Sequence, residues 1–160
     1  PGLSLTRDLK MMETVCGGLL KNAVENTPDQ GLITIAARPE GPDIRIDIRD
    51  FGTGITAPSR AQIFQGFFHT QDSYAYSTKR PYAFNAGGTG IDLLRIRVLG
   101  ERSGFRLDME TSRCRFIPGD RQVCCGRISD CRHVEKRQAC LESGGSCFSL
   151  IFPGEAESGG

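Results

Sequence analysis

The sequence predicts an α+β two-layer fold, with a mixed, largely antiparallel sheet of about five strands packed on helices. Three observations point there. A long helical pattern opens the chain, and two strand-like segments joined by a turn signal follow it. The remaining helices and strands do not alternate as a doubly wound parallel sheet requires. The 160 residues suit one compact domain, expected over 1–153 with a polar tail at 154–160.

The elements follow in order. Leu9, Met12, Cys16, Leu19, Leu20, Ala23 and Val24 recur at helical spacing. Thr6 to Asn26 therefore reads as a helix, capped by Thr6 or Asp8 and stopped before Pro28. LITIAAR (32–38) and DIRIDIRD (43–50) read as strands, and EGPD between them as a hairpin turn. A short helix is expected from Pro58 to Phe64. Residues 66–90 hold no sustained period, so a lid is expected over about 55–90. IDLLRIRVLGERSG (91–104) reads as a helix, FRLDMET (105–111) as a strand and GGSCFSLIFP (144–153) as the closing strand. Between those strands lies a Cys-rich insert, about 112–143.

Bulk properties exclude some classes. The net charge is +1 and no basic face is evident, so nucleic acid is not an expected partner. No apolar run reaches the roughly 18 residues of a membrane span, and PGLSLTRDL lacks the apolar core of a secretory signal. A cytoplasmic location without membrane contact is expected.

The chemistry concentrates at RDFGTGI (49–55), where an acid precedes two glycines one residue apart. GTGITA (52–57) also matches the dinucleotide pattern G-x-G-x-x-A. Two features oppose that reading: no helical pattern opens at Gly54, and Asp72, at the distance of an acidic ribose partner, falls in the irregular stretch. A carboxylate such as Asp50 accepts well from an amino donor on a ligand. Gly52 and Gly54 would let the backbone lie against a flat ring. Asp50 could equally be a turn-forming residue at a strand end.

Four segments occur in series: LLKNAVENTP (19–28), DFGTGI (50–55), IFQGFF (63–68) and GGTGIDL (87–93). Together they resemble the N, G1, F and G2 boxes of the histidine-kinase catalytic and ATP-binding domain. That domain belongs to the GHKL superfamily shared with gyrase-type topoisomerases, mismatch-repair ATPases and heat-shock chaperones. The resemblance spans about residues 8 to 110 and resumes at the last strand. It implies the Bergerat-type ATP-binding fold with a long ATP lid. It also implies a role in a two-component system: Mg-ATP is bound and the γ-phosphoryl passes to a histidine on a separate dimerisation domain, with a response regulator downstream.

By the same resemblance, Asp50 recognises adenine, with Asn26, Gly52, Gly54 and Ile55 around it. Asn22 holds Mg²⁺ against the phosphates, as a hard cation takes an oxygen ligand. Gly87, Gly88, Thr89 and Gly90 bind the triphosphate at a helix start, and Lys79 closes over it from the lid, with Arg80 in the same role. Phe64, Phe67 and Phe68 anchor the lid. His69 has no phosphoacceptor context, so no catalytic residue is expected within this chain.

Departures from the pattern support an alternative: a degenerate nucleotide-sensing pseudokinase, or a Cys- or metal-responsive interaction domain on the same fold. Gly18 stands where hydrolytic relatives carry a glutamate, Glu25 and Asn26 where many kinases carry a basic and an aromatic residue, and Asp92 replaces a glycine. The cysteines run C-x9-C-C-x5-C-x-H-x6-C-x6-C from Cys114 to Cys147. A structural Zn²⁺ on Cys114, Cys124 or Cys125, Cys131 and Cys140, with His133 as a substitute, stands beside disulfides and free thiols as an open reading. The insert is also locally basic, with seven Lys or Arg between Arg113 and Arg137.

Overall fold

The computed structural model describes residues 5–60, 62–64, 92–119 and 122–154. The first helix, α1, spans Leu9–Asn26. Asp8 is its cap, accepting from the Met11 amide at 2.7 Å. The helix stops at Thr27, whose extended backbone is what Pro28 imposes on the residue before it.

Strands β1 (Ile33–Glu40) and β2 (Asp43–Asp50) form the expected hairpin, in register from Ile33↔Asp50 to Glu40↔Asp43. Gly41 supplies the positive φ of 62° at its tip. Pro39 is tolerated because β1 lies at the sheet edge. The short helix α2 covers only Ala57–Arg60 rather than reaching Phe64. Helix α3 (Asp92–Ser103) ends where Gly104 adopts φ +73°, its amide donating to the Gly100 carbonyl at 2.9 Å. Strand β3 is Arg106–Ser112 and β4 is Gly145–Phe152.

The described sheet has four strands, in the order β1-β2-β4-β3. Every strand pairing in it is antiparallel. About five strands in a mixed sheet were expected; among the described residues each of the four strand-like segments forms one strand. The last strand enters the middle, between β2 and β3, and is buried along its whole length.

One face of the sheet meets the helices. Period-two alternation puts Ile44, Ile46 and Ile48 of β2 opposite Phe152, Leu150 and Phe148 of β4 on that face. Val15, Leu19 and Ala23 of α1 and Ile96 of α3 complete the core with Phe105. The Phe105 and Phe152 rings sit 5.1 Å apart in a tilted pair. Alternation also settles the placement of Asp50. It lies two residues beyond Ile48, opposite Ser146, and so shares the helix face.

The other face carries an ionic network. Arg45 donates to Asp47 at 2.8 Å, to Glu40 at 3.0 Å and to the Ser149 hydroxyl at 2.8 Å. Ser149 donates to Asp47 at 2.6 Å, and Arg38 pairs with Asp47 at 2.9 Å. Burial alone would raise the Asp47 pKa, but these partners together hold it below the ordinary carboxylate range.

Between β3 and β4 the described chain is mostly irregular, with a 3-10 turn at Ile128–Asp130 and helix α4 at Arg137–Leu141. Ile117, Ile128 and Leu141 are buried there, outside the main core. The segment therefore buries apolar side chains of its own, which weakens the case for a metal staple.

Candidate functional site

The end of α1, the end of β2 and the loop after it meet at one place. Asp50 is only 4 % exposed, and its Oδ1 accepts from the Gly52 amide at 3.0 Å. It forms no ion pair among the described residues. Burial raises its pKa from 3.8 to about 6, against the opposing pull of the Gly52 and Ser146 amides and the Arg49 charge.

Asn26 closes the other side. Its carbonyl accepts from the Thr53 amide at 3.0 Å, and its side-chain amide donates to the Asn22 carbonyl at 2.8 Å. One turn earlier, the Asn22 side-chain nitrogen is buried with no hydrogen-bond partner among the described residues. Buried polar groups are rarely left so, and an unpaired one beside an acidic loop suits a site that awaits a polar ligand. Ile55 follows the glycines and packs against the core, its amide donating to the Thr111 hydroxyl at 3.0 Å.

The two glycines have a reason different from the expected one. A Cβ on Gly52 would overlap the Asn26 carbonyl, and a Cβ on Gly54 would overlap the Ser112 carbonyl. Gly54 also holds φ +61°. The protein's own backbone thus already requires bare positions, whatever else approaches them.

Two neighbours escaped the sequence reading. Ser146 pairs with Asp50 across β2 and β4, and Thr111 pairs with Ser146 across β3 and β4. Their hydroxyls share a hydrogen bond of 3.0 Å. The available signal was the pairing itself: once the last strand lies between β2 and β3, the hydroxyl in GGSCF must face Asp50.

Two departures also find partners. A side chain at Gly18 would press on Ile96 of α3, so this position is a helix-packing contact. Asp92 sits 3.6 Å from the Lys21 ammonium, which offsets its charge. Phe64 is partly buried against the core, next to buried Ile63. Phe67, Phe68, His69, Asp72, Lys79, Arg80, Gly87, Gly88, Thr89 and Gly90 lie outside the described residues, as does most of the expected lid.

All seven cysteines are free thiols. Among the described residues no three His, Cys, Asp or Glu side chains gather as a metal-holding group. His133 is not arranged as a ligand; its ring stacks on Phe116 at 5.8 Å. Burial, and then the neighbouring thiols of Cys124, Cys114, Cys131 and Cys125, push Cys140 up to about 11.

The family described as "Histidine kinase-, DNA gyrase B-, and HSP90-like ATPase" matches residues 7–156, and the chain belongs to it. Several similar curated proteins are named histidine kinases. The circadian input-output histidine kinase CikA of Synechococcus elongatus is 31 % identical over 105 residues, covering 66 % of this chain and 13 % of that protein. The sensor protein CreC of Escherichia coli is 33 % identical over 81 residues, covering 51 % of this chain and 15 % of that protein. The chain thus spans well under a quarter of the length of these relatives. Among solved structures, the mycobacterial sensor histidine kinase MprB superposes with a TM-score of 0.61 at 18 % identity, over 94 % of this chain and 76 % of that one. ShkA, solved in complex with AMPPNP, gives a TM-score of 0.55 at 17 % identity, over 89 % of this chain and 21 % of that one. These likenesses establish the α+β fold of the histidine-kinase ATPase domains. No helix among the described residues is long and apolar enough to cross a membrane.

Proposed function

We propose that this domain binds Mg-ATP and serves as the catalytic module of a sensor histidine kinase, passing the γ-phosphoryl to a histidine on a separate dimerisation domain. The observation that carries the reading is Asp50: a carboxylate buried to 4 % exposure at a strand end, without an ion-pair partner among the described residues. Such a group is costly to keep unless a ligand uses it. Adenine would sit against residues 50–55, its amino group donating to Asp50. Asn22 and Asn26 would line the side toward α1, and Gly87, Gly88, Thr89, Gly90 and Lys79 would meet the phosphates.

The donor set fits a magnesium ion. Asn22 stands one helical turn before Asn26 on α1, where a side-chain amide oxygen would suit a hard cation that keeps most of its water. When bound, Mg²⁺ would neutralise phosphate charge, with Asn22 as the residue that would hold it. This chain's residues bind and orient. In the transfer, the acceptor imidazole nitrogen forms a bond to the γ-phosphorus as the bond to the β–γ bridging oxygen breaks, and ADP leaves. The imidazole is itself the nucleophile, so no base is demanded of this domain, and catalysis is positioning and charge stabilisation. The parent kinase would act on a response regulator from the cytoplasmic side.

The test combines binding and chemistry. ATP titrated with Mg²⁺ should bind the wild type, and Asn22→Ala should lose most of the Mg²⁺ dependence of that affinity. A histidine-bearing dimerisation domain mixed with the protein and ATP should acquire acid-labile phosphate. Binding without phosphohistidine would instead favour the pseudokinase reading.

A further inference from the structure

We infer that the segment between β3 and β4 is a strut for the proposed base-binding loop, with Arg113 as its positioning residue. The inference rests on the assignment of residues 50–55 to the purine. The first link is backbone: the Cys114 amide donates to the Thr53 carbonyl at 2.8 Å. The second is the Arg113 guanidinium, which reaches four carbonyls. It donates to Gly54 at 3.3 Å, Ile117 at 2.9 Å, Gly119 at 3.3 Å and Gln122 at 2.9 Å. One planar group therefore ties the start of the segment into a closed loop and fastens that loop to Gly54. The fork geometry of arginine makes this fit specific, because a lysine cannot serve four fixed acceptors at once.

The contact is close as well as polar. A Cβ on Gly54 would overlap the carbonyl of Ser112, the last residue of β3, and press on the Arg113 Cα that opens the segment. Farther along, the same segment grips the chain just past α1. The Asp29 amide donates to Gly126 at 2.8 Å and the Ile128 amide to Asp29 at 3.2 Å. Arg137 donates to the Gln30 and Gly31 carbonyls at 2.6 and 3.0 Å. The segment thus spans the two backbone stretches that flank Asp50 and Asn26, and holds one relative to the other. A loop fixed before binding loses less conformational entropy when the ligand arrives, so the strut raises affinity without touching the nucleotide.

The experiment is calorimetric titration of the protein with adenosine and with Mg-ATP, alongside thermal melting of the free protein. The variants are Arg113→Ala, Arg113→Lys and Asp50→Asn. Arg113→Ala should weaken both ligands by the same factor, about tenfold, because the defect lies at the base end. Arg113→Lys should recover only part of the loss, and carries the comparison alone if the alanine variant does not fold. A purely structural role would lower the melting temperature and leave both affinities unchanged; that result overturns the inference, as would a loss confined to ATP. If Asp50→Asn abolishes adenosine binding while the Arg113 variants bind normally, the base assignment stands and the strut falls. If Asp50→Asn binds adenosine as the wild type does, both fall.

Discussion

At Asp50 the proposed binding role works against stability. Its folded pKa of about 6 lies above its ordinary 3.8, so the folded chain holds this proton more tightly than the unfolded one. Its contribution to stability is full below 3.8 and is lost as pH rises through about 6. At neutral pH the ionised, buried form costs on the order of 3 kcal/mol. Asp50→Asn keeps the acceptor for the Gly52 amide and removes that charge. It should melt no lower than the wild type at pH 8 while losing ATP, as differential scanning calorimetry and titration would show together. A lower melting temperature would contradict the account. Since the ionised form accepts from the amino group, ATP affinity should fall as pH drops below about 6, and this dependence should vanish in the variant. Gly54 makes the complementary case. Gly54→Ala meets both a positive φ and the Ser112 carbonyl, and should cost at least about 1–3 kcal/mol in urea unfolding.

At the scale of elements, α1 has two duties. Its apolar stripe of Val15, Leu19 and Ala23 anchors it to the sheet, and its last residue, Asn26, accepts from the Thr53 amide of the loop after Asp50. Leu19→Ala should therefore cost about 2–5 kcal/mol and loosen the site along with the fold, readable as coupled losses in melting temperature and ATP affinity. The ionic network on the opposite face should affect stability alone. Asp47 is held below its ordinary pKa, so its contribution is present above about pH 4 and lost as pH falls through its folded value. In Asp47→Asn the acid-unfolding midpoint should shift upward, with nucleotide affinity at pH 7 unchanged.

Across the whole molecule, much of the architecture was legible in the sequence. The helical stripe in 9–24, the alternation in DIRIDIRD and the strand signals in FRLDMET and GGSCFSLIFP each became an element close to its expected limits. Strand order was not legible, because nothing local in GGSCFSLIFP says that it inserts between β2 and β3. For that reason Ser146 and Thr111 beside Asp50 were missed. The glycines of GTGI were read as room for a ligand, although each is also demanded by a distant carbonyl. Residues that unite only through the packing of remote segments leave no periodic trace, and Arg113, with its four carbonyl partners, belongs to that class.

The central claim is that Asp50 reads the exocyclic amino group of adenine, and a direct measurement compares ATP with inosine triphosphate by calorimetry at pH 8. Inosine presents a carbonyl oxygen where adenine presents the amino donor, so a buried carboxylate should reject it. The account predicts that ATP binds the wild type at least about tenfold more tightly, and that Asp50→Asn narrows the gap. Equal affinities for the two nucleotides in the wild type would contradict it.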